Sequence, residues 1–262
     1  MIGMRRLKII IAYDGTDYFG WQQTGPQPSI QGALDRALTT ITRQEVHVTG
    51  ASRTDRGVHA EGQVAHFDVK WEGPLQGLQF TCNQLLPAAI RILTIDEVVP
   101  TFHATLDAQA KEYHYWIETA PVCDPHRART CWHVPSDLNL EAMAKAAEQL
   151  VGQHDFATFC NQRSLWHKPT ERSLLSCRIL SEGSRLCLVV IGDQFLYKMV
   201  RNVAGTLVYI GRGKIQLEEL DAIMEARHRP GAGMTAPAQG LILHRVEYDS
   251  TPTPSDLIPQ IL

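Results

Sequence analysis

The sequence predicts an α+β protein made of two similar α/β halves with antiparallel-rich mixed sheets. Two observations carry this expectation. Short apolar, strand-like runs outnumber helical segments of crossover length, and strands without a helical crossover pair antiparallel. The order strand, helix, strand, strand, helix, strand then repeats loosely in the second half. No glycine-rich fingerprint for a dinucleotide or a phosphate loop is present, which removes the usual reason to expect a doubly wound parallel sheet.

Arg6 to Tyr13 reads as a strand, because Ile9, Ile10 and Ile11 are β-branched and stop at the turn pair Asp14-Gly15. Arg5, Arg6 and Lys8 imitate the start of a signal peptide, but the apolar run behind them falls short of the roughly 7–15 residues such a segment needs. Ile30 to Ile41 is a helix: Ile30, Ala33, Leu34, Ala37, Leu38 and Ile41 recur on one face, and the Ser29 hydroxyl can accept from a first-turn amide. Val46 to Ala51 and Gly62 to Val69 alternate like strands. A short helix over Leu75 to Leu86 and a strand over Ile90 to Val98 complete the first half, residues 1–105.

The second half, 106–250, opens with a strand from Ala110 to Glu118, on which His114, Trp116 and Glu118 face away from Tyr113, Tyr115 and Ile117. A helix over Leu140 to Val151 follows. Ser176 to Leu180 and Leu186 to Gly192 pair across the hairpin signal Glu182-Gly183. Helices over Met199 to Ile210 and Leu220 to Arg227 precede a last strand from Leu241 to Tyr248. The Pro-rich tail, 251–262, is expected to be loose.

Composition sets the class. The chain has 262 residues, 44% apolar and 20% charged, with a formal net charge of -3. These values exclude a disordered or fibrous chain, and no run of about 18 apolar residues exists to span a membrane. The acidic balance hides local basic stretches. Arg163, Lys168, Arg172 and Arg178 stand against Glu171 alone, and Lys198, Arg201, Arg212 and Lys214 meet no acid between them. Such segregation permits a basic groove, as it permits ordinary solvated faces. The six cysteines form no CxxC pair and read as reduced thiols of a cytoplasmic protein. Cys123, His126, Cys131 and His133 crowd together without the two separated ligand pairs of a structural zinc site. Asp55, His59 and His66 lack a helical histidine pair. Neither set predicts a metal.

The stretch richest in chemistry is Gly50-Ala-Ser-Arg-Thr-Asp-Arg-Gly-Val-His-Ala60, small and polar between two strands. Asp55 lies between Arg53 and Arg56, and neighbouring positive charge favours an ionised carboxylate, which can serve as nucleophile or base. The same aspartate can instead tie down a tight loop through its own backbone hydrogen bonds. Spacing alone leaves both open.

The segment Ser52-Arg53-Thr54-Asp55-x-Gly57-Val58-His59-Ala60 closely resembles the G-R-T-D-A-G-V-H-A signature of the tRNA pseudouridine synthase A family. Further matches follow in order: Tyr13-Asp14-Gly15-Thr16-x-Tyr18-x-Gly20-Trp21-Gln22, Gln63-Val64-Ala65-His66-Phe67, Phe102-His103-Ala104, Lys111-x-Tyr113-x-Tyr115, Leu150-Val151-Gly152-x-His154-Asp155-Phe156, Phe195-Leu196-x-x-Met199-Val200-Arg201-Asn202 and Ala236-Pro237-Ala238-x-Gly240-Leu241. They span residues 9 to 245.

The resemblance implies a catalytic cleft between the halves and isomerisation of uridine to pseudouridine at positions 38, 39 and 40 of the tRNA anticodon stem–loop. It implies no cofactor, no metal, a tRNA partner and a homodimer. Asp55 matches the nucleophile, attacking ribose C1′ or pyrimidine C6. Tyr113 matches the tyrosine that packs on the target base and takes part in proton transfer, and Arg201 the arginine beside the catalytic aspartate. Arg53 matches an arginine of RNA contact and base extrusion. Phe102 and His103, from their motif, are expected among the RNA-binding residues, with Arg163, Lys168 and Arg172 beside Trp166 in a tRNA-contacting loop. Leu241 or Leu243 is expected to floor the pocket. Three positions depart from the family pattern: Ser52 replaces Gly, Arg56 replaces Ala, and Thr105 stands where Arg commonly follows Phe-His-Ala. Two other readings compete: a non-catalytic tRNA-binding paralogue, and a metal-dependent hydrolase built on Asp55, His59 and His66.

Overall fold

A computed structural model describes residues 3–161 and 169–248. Its β-branched runs form ten strands of one sheet. In chain order, the first half supplies Arg5–Tyr13 (β1), helix Ile30–Thr42 (α1), Thr49–Gly50 (β2), His59–Val69 (β3), helix Leu75–Leu85 (α2) and Ile90–Val98 (β4). The second supplies Ala110–Glu118 (β5), Trp132–His133 (β6), helix Leu140–Gln149 (α3), Gly152–Asp155 (β7), Glu171–Glu182 (β8), Arg185–Gly192 (β9), helices Met199–Gly211 (α4) and Leu220–Glu225 (α5), and Leu241–Glu247 (β10). The sheet runs β4-β1-β3-β10-β5-β9-β8-β7, with β2 on β3 and β6 on β5. Antiparallel pairing dominates, as expected. The parallel pairs are β10 with β3 and β6 with β5.

The two halves share this sheet rather than owning one each. The last strand leaves the second half and inserts between β3 and β5. It satisfies backbone groups on both, which would otherwise be two open sheet edges. The shared register makes one row of side chains across the join: Tyr13 opposite Ala60, Ala60 opposite Leu243, Leu243 opposite Tyr113, Tyr113 opposite Val190.

The helices cover the face that carries this row. Met143 of α3 and Ala204 and Leu207 of α4 meet Ile117, Leu186 and Leu188. Leu34 and Leu38 of α1 join Ile9 and Ile11 in the same buried cluster. Ser29 caps α1 as expected, its Oγ accepting from Gly32 N at 3.1 Å. On the opposite face Trp116 shields Ala110, Cys187, Val189 and Ile191, with the Arg185 guanidinium 3.8 Å above its ring.

Two expectations need correction. Val46 to Ala51 does not form a full strand: only Thr49 and Gly50 pair with β3. The amides of Val46 and Val48 are taken by side chains of α1, Thr39 Oγ1 at 3.2 Å and Asp35 Oδ1 at 2.9 Å, so these residues have no need of a ladder. The polar strand β7, Gly152–Asp155, carries no apolar alternation from which the sequence could predict it. The β8–β9 hairpin turns where the sequence places it, with Gly183 at φ +60°. The tail 251–262 lies outside the described residues. Among the described residues no helix is long and apolar enough to cross a membrane.

Candidate active site

The signature segment is the loop between β2 and β3, and its shape is set from both sides. Gly57, at φ +78°, turns the chain so that Val58 N donates to Asp55 O at 3.1 Å. The loop 14–21 lies directly against it: Trp21 N donates to Thr54 O at 3.0 Å. Gly20 makes that approach possible, since a Cβ there would stand 2.6 Å from Thr54 O and the residue holds φ +96°. Below the loop, the buried Gln63 side chain clamps Ser52. Its Nε2 donates to Ser52 O at 2.7 Å and its Oε1 accepts from Ser52 N at 3.2 Å. Tyr13 and Thr54 share a hydroxyl hydrogen bond of 2.8 Å beside it. The loop is therefore a rigid platform.

Asp55 projects from this platform with 21% of its side chain exposed. Its partner is neither flanking arginine. Arg201 Nη1, from the first turn of α4, stands 2.8 Å from Asp55 Oδ2. Arg201 Nε donates to Ala236 O at 2.8 Å, and Ala236 N donates back to Arg201 O at 3.0 Å, so the guanidinium cannot swing freely. Arg53 is exposed and lines the cleft. Arg56 lies over the Phe19 ring, 4.2 Å from its centroid. The sequence expectation that the neighbours of Asp55 supply its positive charge is thus corrected: the cation arrives from 146 residues away.

Tyr113, in the middle of β5, is 5% exposed and meets the Phe195 ring edge-on at 4.9 Å. Its hydroxyl is 2.7 Å from Ser52 Oγ. Burial pushes its phenol up to about 12, with the Ser52 hydrogen bond pulling the other way. Asp55, Tyr113 and Arg53 line one cleft of about 970 Å³, walled by Trp21, Gln31 and Ser52 on one side and by residues 193–200 on the other. Arg201, not itself among the lining residues, reaches Asp55 from α4.

Other expected residues fall elsewhere. Leu243 is fully buried beside Tyr113 in the sheet, and the cleft-lining leucine of β10 is Leu241. Phe102 and His103 are not among the lining residues. Phe102 packs on Tyr248 and His66, while His103 Nδ1 accepts from Thr105 N and Leu106 N, shaping the turn that brings Thr105 and Leu106 to the cleft mouth. Arg172 sits on β8, next to the far strand β7, its guanidinium donating to Pro169 O. Arg163, Trp166 and Lys168 lie outside the described residues.

Lys111 lines the cleft although sequence reasoning assigned it no role. It precedes Tyr113 by two residues, so strand alternation already puts both on one face. Burial pushes its ammonium pKa down, and Asp193, also in the cleft wall, pulls the other way. Lys198, at φ +61°, is another lining residue, its ammonium 5.0 Å from the Tyr197 ring.

Neither the Cys123, His126, Cys131 and His133 set nor the Asp55, His59 and His66 set brings three donors together. Cys123 and Cys131 are free thiols with Sγ atoms 3.7 Å apart, and His133 Nε2 bonds to Ala120 O. His59 Nδ1 accepts from Gly15 N and His66 Nδ1 from Ala104 N, away from Asp55. Among the described residues one group of potential donors converges, Glu61, His114 and His244, with donor atoms within 4.8 Å of one another. It lies on the sheet face opposite Tyr113. Its two imidazoles stack at 4.1 Å with 13° between planes, so their in-plane lone pairs do not meet at one point. Each pairs with a carboxylate instead, His114 with Glu112 and His244 with Glu61, both at 2.7 Å.

A family model described as tRNA pseudouridine synthase matches residues 9–106 and 146–249. The chain is 42% identical over 245 residues to a protein named tRNA pseudouridine synthase A in Brevibacillus brevis, covering 94% of this chain and 100% of that one. It is 43% identical over 245 residues to the protein of that name in Moorella thermoacetica, covering 92% and 99%. It is 42% identical over 248 residues to tRNA pseudouridine synthase A 2 of Protochlamydia amoebophila, covering 94% and 95%.

Proposed function

The chain belongs to the tRNA pseudouridine synthase family, and on that premise we propose that it isomerises uridine to pseudouridine at positions 38, 39 and 40 of the tRNA anticodon stem–loop, with Asp55 as nucleophile. The observation that carries this reading is the Asp55–Arg201 pair, 2.8 Å long, at the edge of a cleft lined by Tyr113. A guanidinium locked against one carboxylate oxygen aims that group and leaves the other oxygen for the substrate.

The reaction exchanges one glycosidic bond for another. The N1–C1′ bond breaks, the base turns, C5 bonds to C1′, the proton on C5 leaves and N1 gains one. Atoms and electrons balance within the nucleotide, so the reading needs neither cofactor nor metal. Asp55 attacks ribose C1′ or pyrimidine C6. A uridine stacked in a stem is out of its reach, and flipping it out costs a few kcal/mol. Base stacking on an aromatic ring returns about 1–3 kcal/mol per base, a role for Tyr113 at the cleft floor. Arg53, Lys111 and Lys198 give the cleft the positive charge that a phosphate backbone requires. In this reading the residues 1–105 carry the nucleophile loop, 106–250 complete the site and its RNA groove, and two copies of the chain act on one tRNA in the cytoplasm.

The test is to incubate the purified protein with an unmodified tRNA transcript and map pseudouridine by carbodiimide adduct formation and reverse transcription. Product is expected at positions 38–40 with the wild type and at none with Asp55→Asn. Full turnover by Asp55→Asn would refute the nucleophile, and tRNA binding without product would leave the non-catalytic paralogue.

A further inference from the structure

We propose that Ser52 is a positioning residue for the reaction: its hydroxyl, carried on the signature loop, holds the Tyr113 hydroxyl at the cleft through a direct hydrogen bond. The proposal rests on the reading above, in which Tyr113 works on the substrate. Ser52 Oγ and Tyr113 Oη are 2.7 Å apart, and this is the hydrogen bond the described structure gives the phenol. Both residues line the cleft.

Two features make Ser52 more than a chance neighbour. Its backbone is clamped on both sides by Gln63, which is fully buried, so Oγ can move only by rotation about the Cα–Cβ bond. The Tyr113 ring is held in the sheet between β10 and β9 and braced edge-on by Phe195, so its hydroxyl can turn only about its own C–O bond. That remaining freedom decides chemistry. With Ser52 as donor, the phenol keeps its proton for the substrate. With Ser52 as acceptor, the phenol offers the substrate only lone pairs. Either hydroxyl can donate across the 2.7 Å contact, and Ser52 is the protein group with which the phenol makes this choice.

Ser52 stands where the family signature has glycine, which supplies no hydroxyl. In this chain the partner is part of the protein, and a preorganised hydrogen bond needs no reorientation during the reaction. Serine fits without strain, because the residue carries no positive φ.

The experiment is steady-state turnover on a tRNA transcript, with kcat and KM separated across pH, for Ser52→Ala, Ser52→Thr, Tyr113→Phe and the Ser52→Ala/Tyr113→Phe double variant. Losing one neutral hydrogen bond that acts in the transition state lowers kcat by about three- to tenfold. Ser52→Ala is expected to show this with KM changed less than about twofold and with a shifted pH profile of kcat. Ser52→Thr, which keeps a hydroxyl, restores most of it. In the Tyr113→Phe background, Ser52→Ala has no further effect, since its partner is gone. An unchanged kcat in Ser52→Ala, or the same loss with and without the Tyr113 hydroxyl, overturns the proposal. Failure of the functional reading is distinct: the wild type itself would then make no pseudouridine.

Discussion

Arg201 Nη1 and Asp55 Oδ2 stand 2.8 Å apart, joining the first turn of α4 to the loop before β3. The arginine side chain is 12% exposed, and its Nε is committed to Ala236 O. Arg201→Met removes both hydrogen bonds and leaves the carboxylate without its partner. A hydrogen bond to a charged group contributes about 1.5–3 kcal/mol, so turnover is expected to fall about 10- to 100-fold. Arg201→Lys keeps the charge but cannot hold Asp55 Oδ2 and Ala236 O together with fixed geometry, and should lie between. Single-turnover rates on a tRNA transcript decide this, and a wild-type rate in Arg201→Met would show that the pair is only structural.

Gly20→Ala tests the platform rather than the charge. The position needs φ +96°, and the new Cβ would meet Thr54 O at 2.6 Å. A residue forced into a sparsely populated backbone region costs about 1–3 kcal/mol, and relief requires the signature loop to move. Lower thermal stability together with reduced turnover is expected. Gly77, whose Cβ would meet nothing within 4 Å, serves as control, and Gly77→Ala in the interior of α2 should be neutral or stabilising.

What the chain reveals before folding follows from the range of the forces involved. Helix α1 was legible through its period and its Ser29 cap, and β5 through alternation, because both signals are local. The loop of Asp55 stood out by composition. The cation beside Asp55 did not, because nothing local ties residue 55 to residue 201, and the resemblance alone pointed there. The insertion of β10 between β3 and β5 is likewise a long-range pairing, and its sequence reads only as one more strand. Val46 and Val48 misled because an apolar alternation shows burial, not which group takes the amide. The Ser52 hydroxyl was visible as a departure from a signature, but its partner needed the structure.

Acid should loosen the fold through two buried imidazoles. Burial is the main cause that pushes His59 and His66 below their ordinary pKa of 6.5, with Asp14 opposing it at His59 and the His103 charge adding to it at His66. The folded chain resists a proton that the unfolded chain accepts. Stability from these groups is therefore complete above about pH 6.5 and declines as pH falls toward the folded values. Melting temperatures from pH 7.5 to 5.0 should drop, and His59→Gln/His66→Gln should flatten the curve. A slope unchanged in the double variant would assign the acid sensitivity to other groups.

Binding to tRNA should carry a salt dependence that maps the cleft. Arg53 and Lys198 line it, and among the described residues neither has a carboxylate oxygen within ion-pair distance, so their charge is available to phosphate. Each phosphate a side chain neutralises releases counterions and steepens the fall of log K with log salt by roughly 0.7–0.9. Arg53→Met and Lys198→Met should each make the slope shallower by about that amount and weaken binding at low salt regardless of the target uridine. Lys145→Met on α3 removes an equal charge, but that ammonium is paired with Glu141 and lies outside the cleft, so the slope should stay as it is. Electrophoretic titration between about 50 and 200 mM salt reads all three, and equal slopes for the cleft variants and Lys145→Met would mean that the RNA backbone runs elsewhere on the molecule.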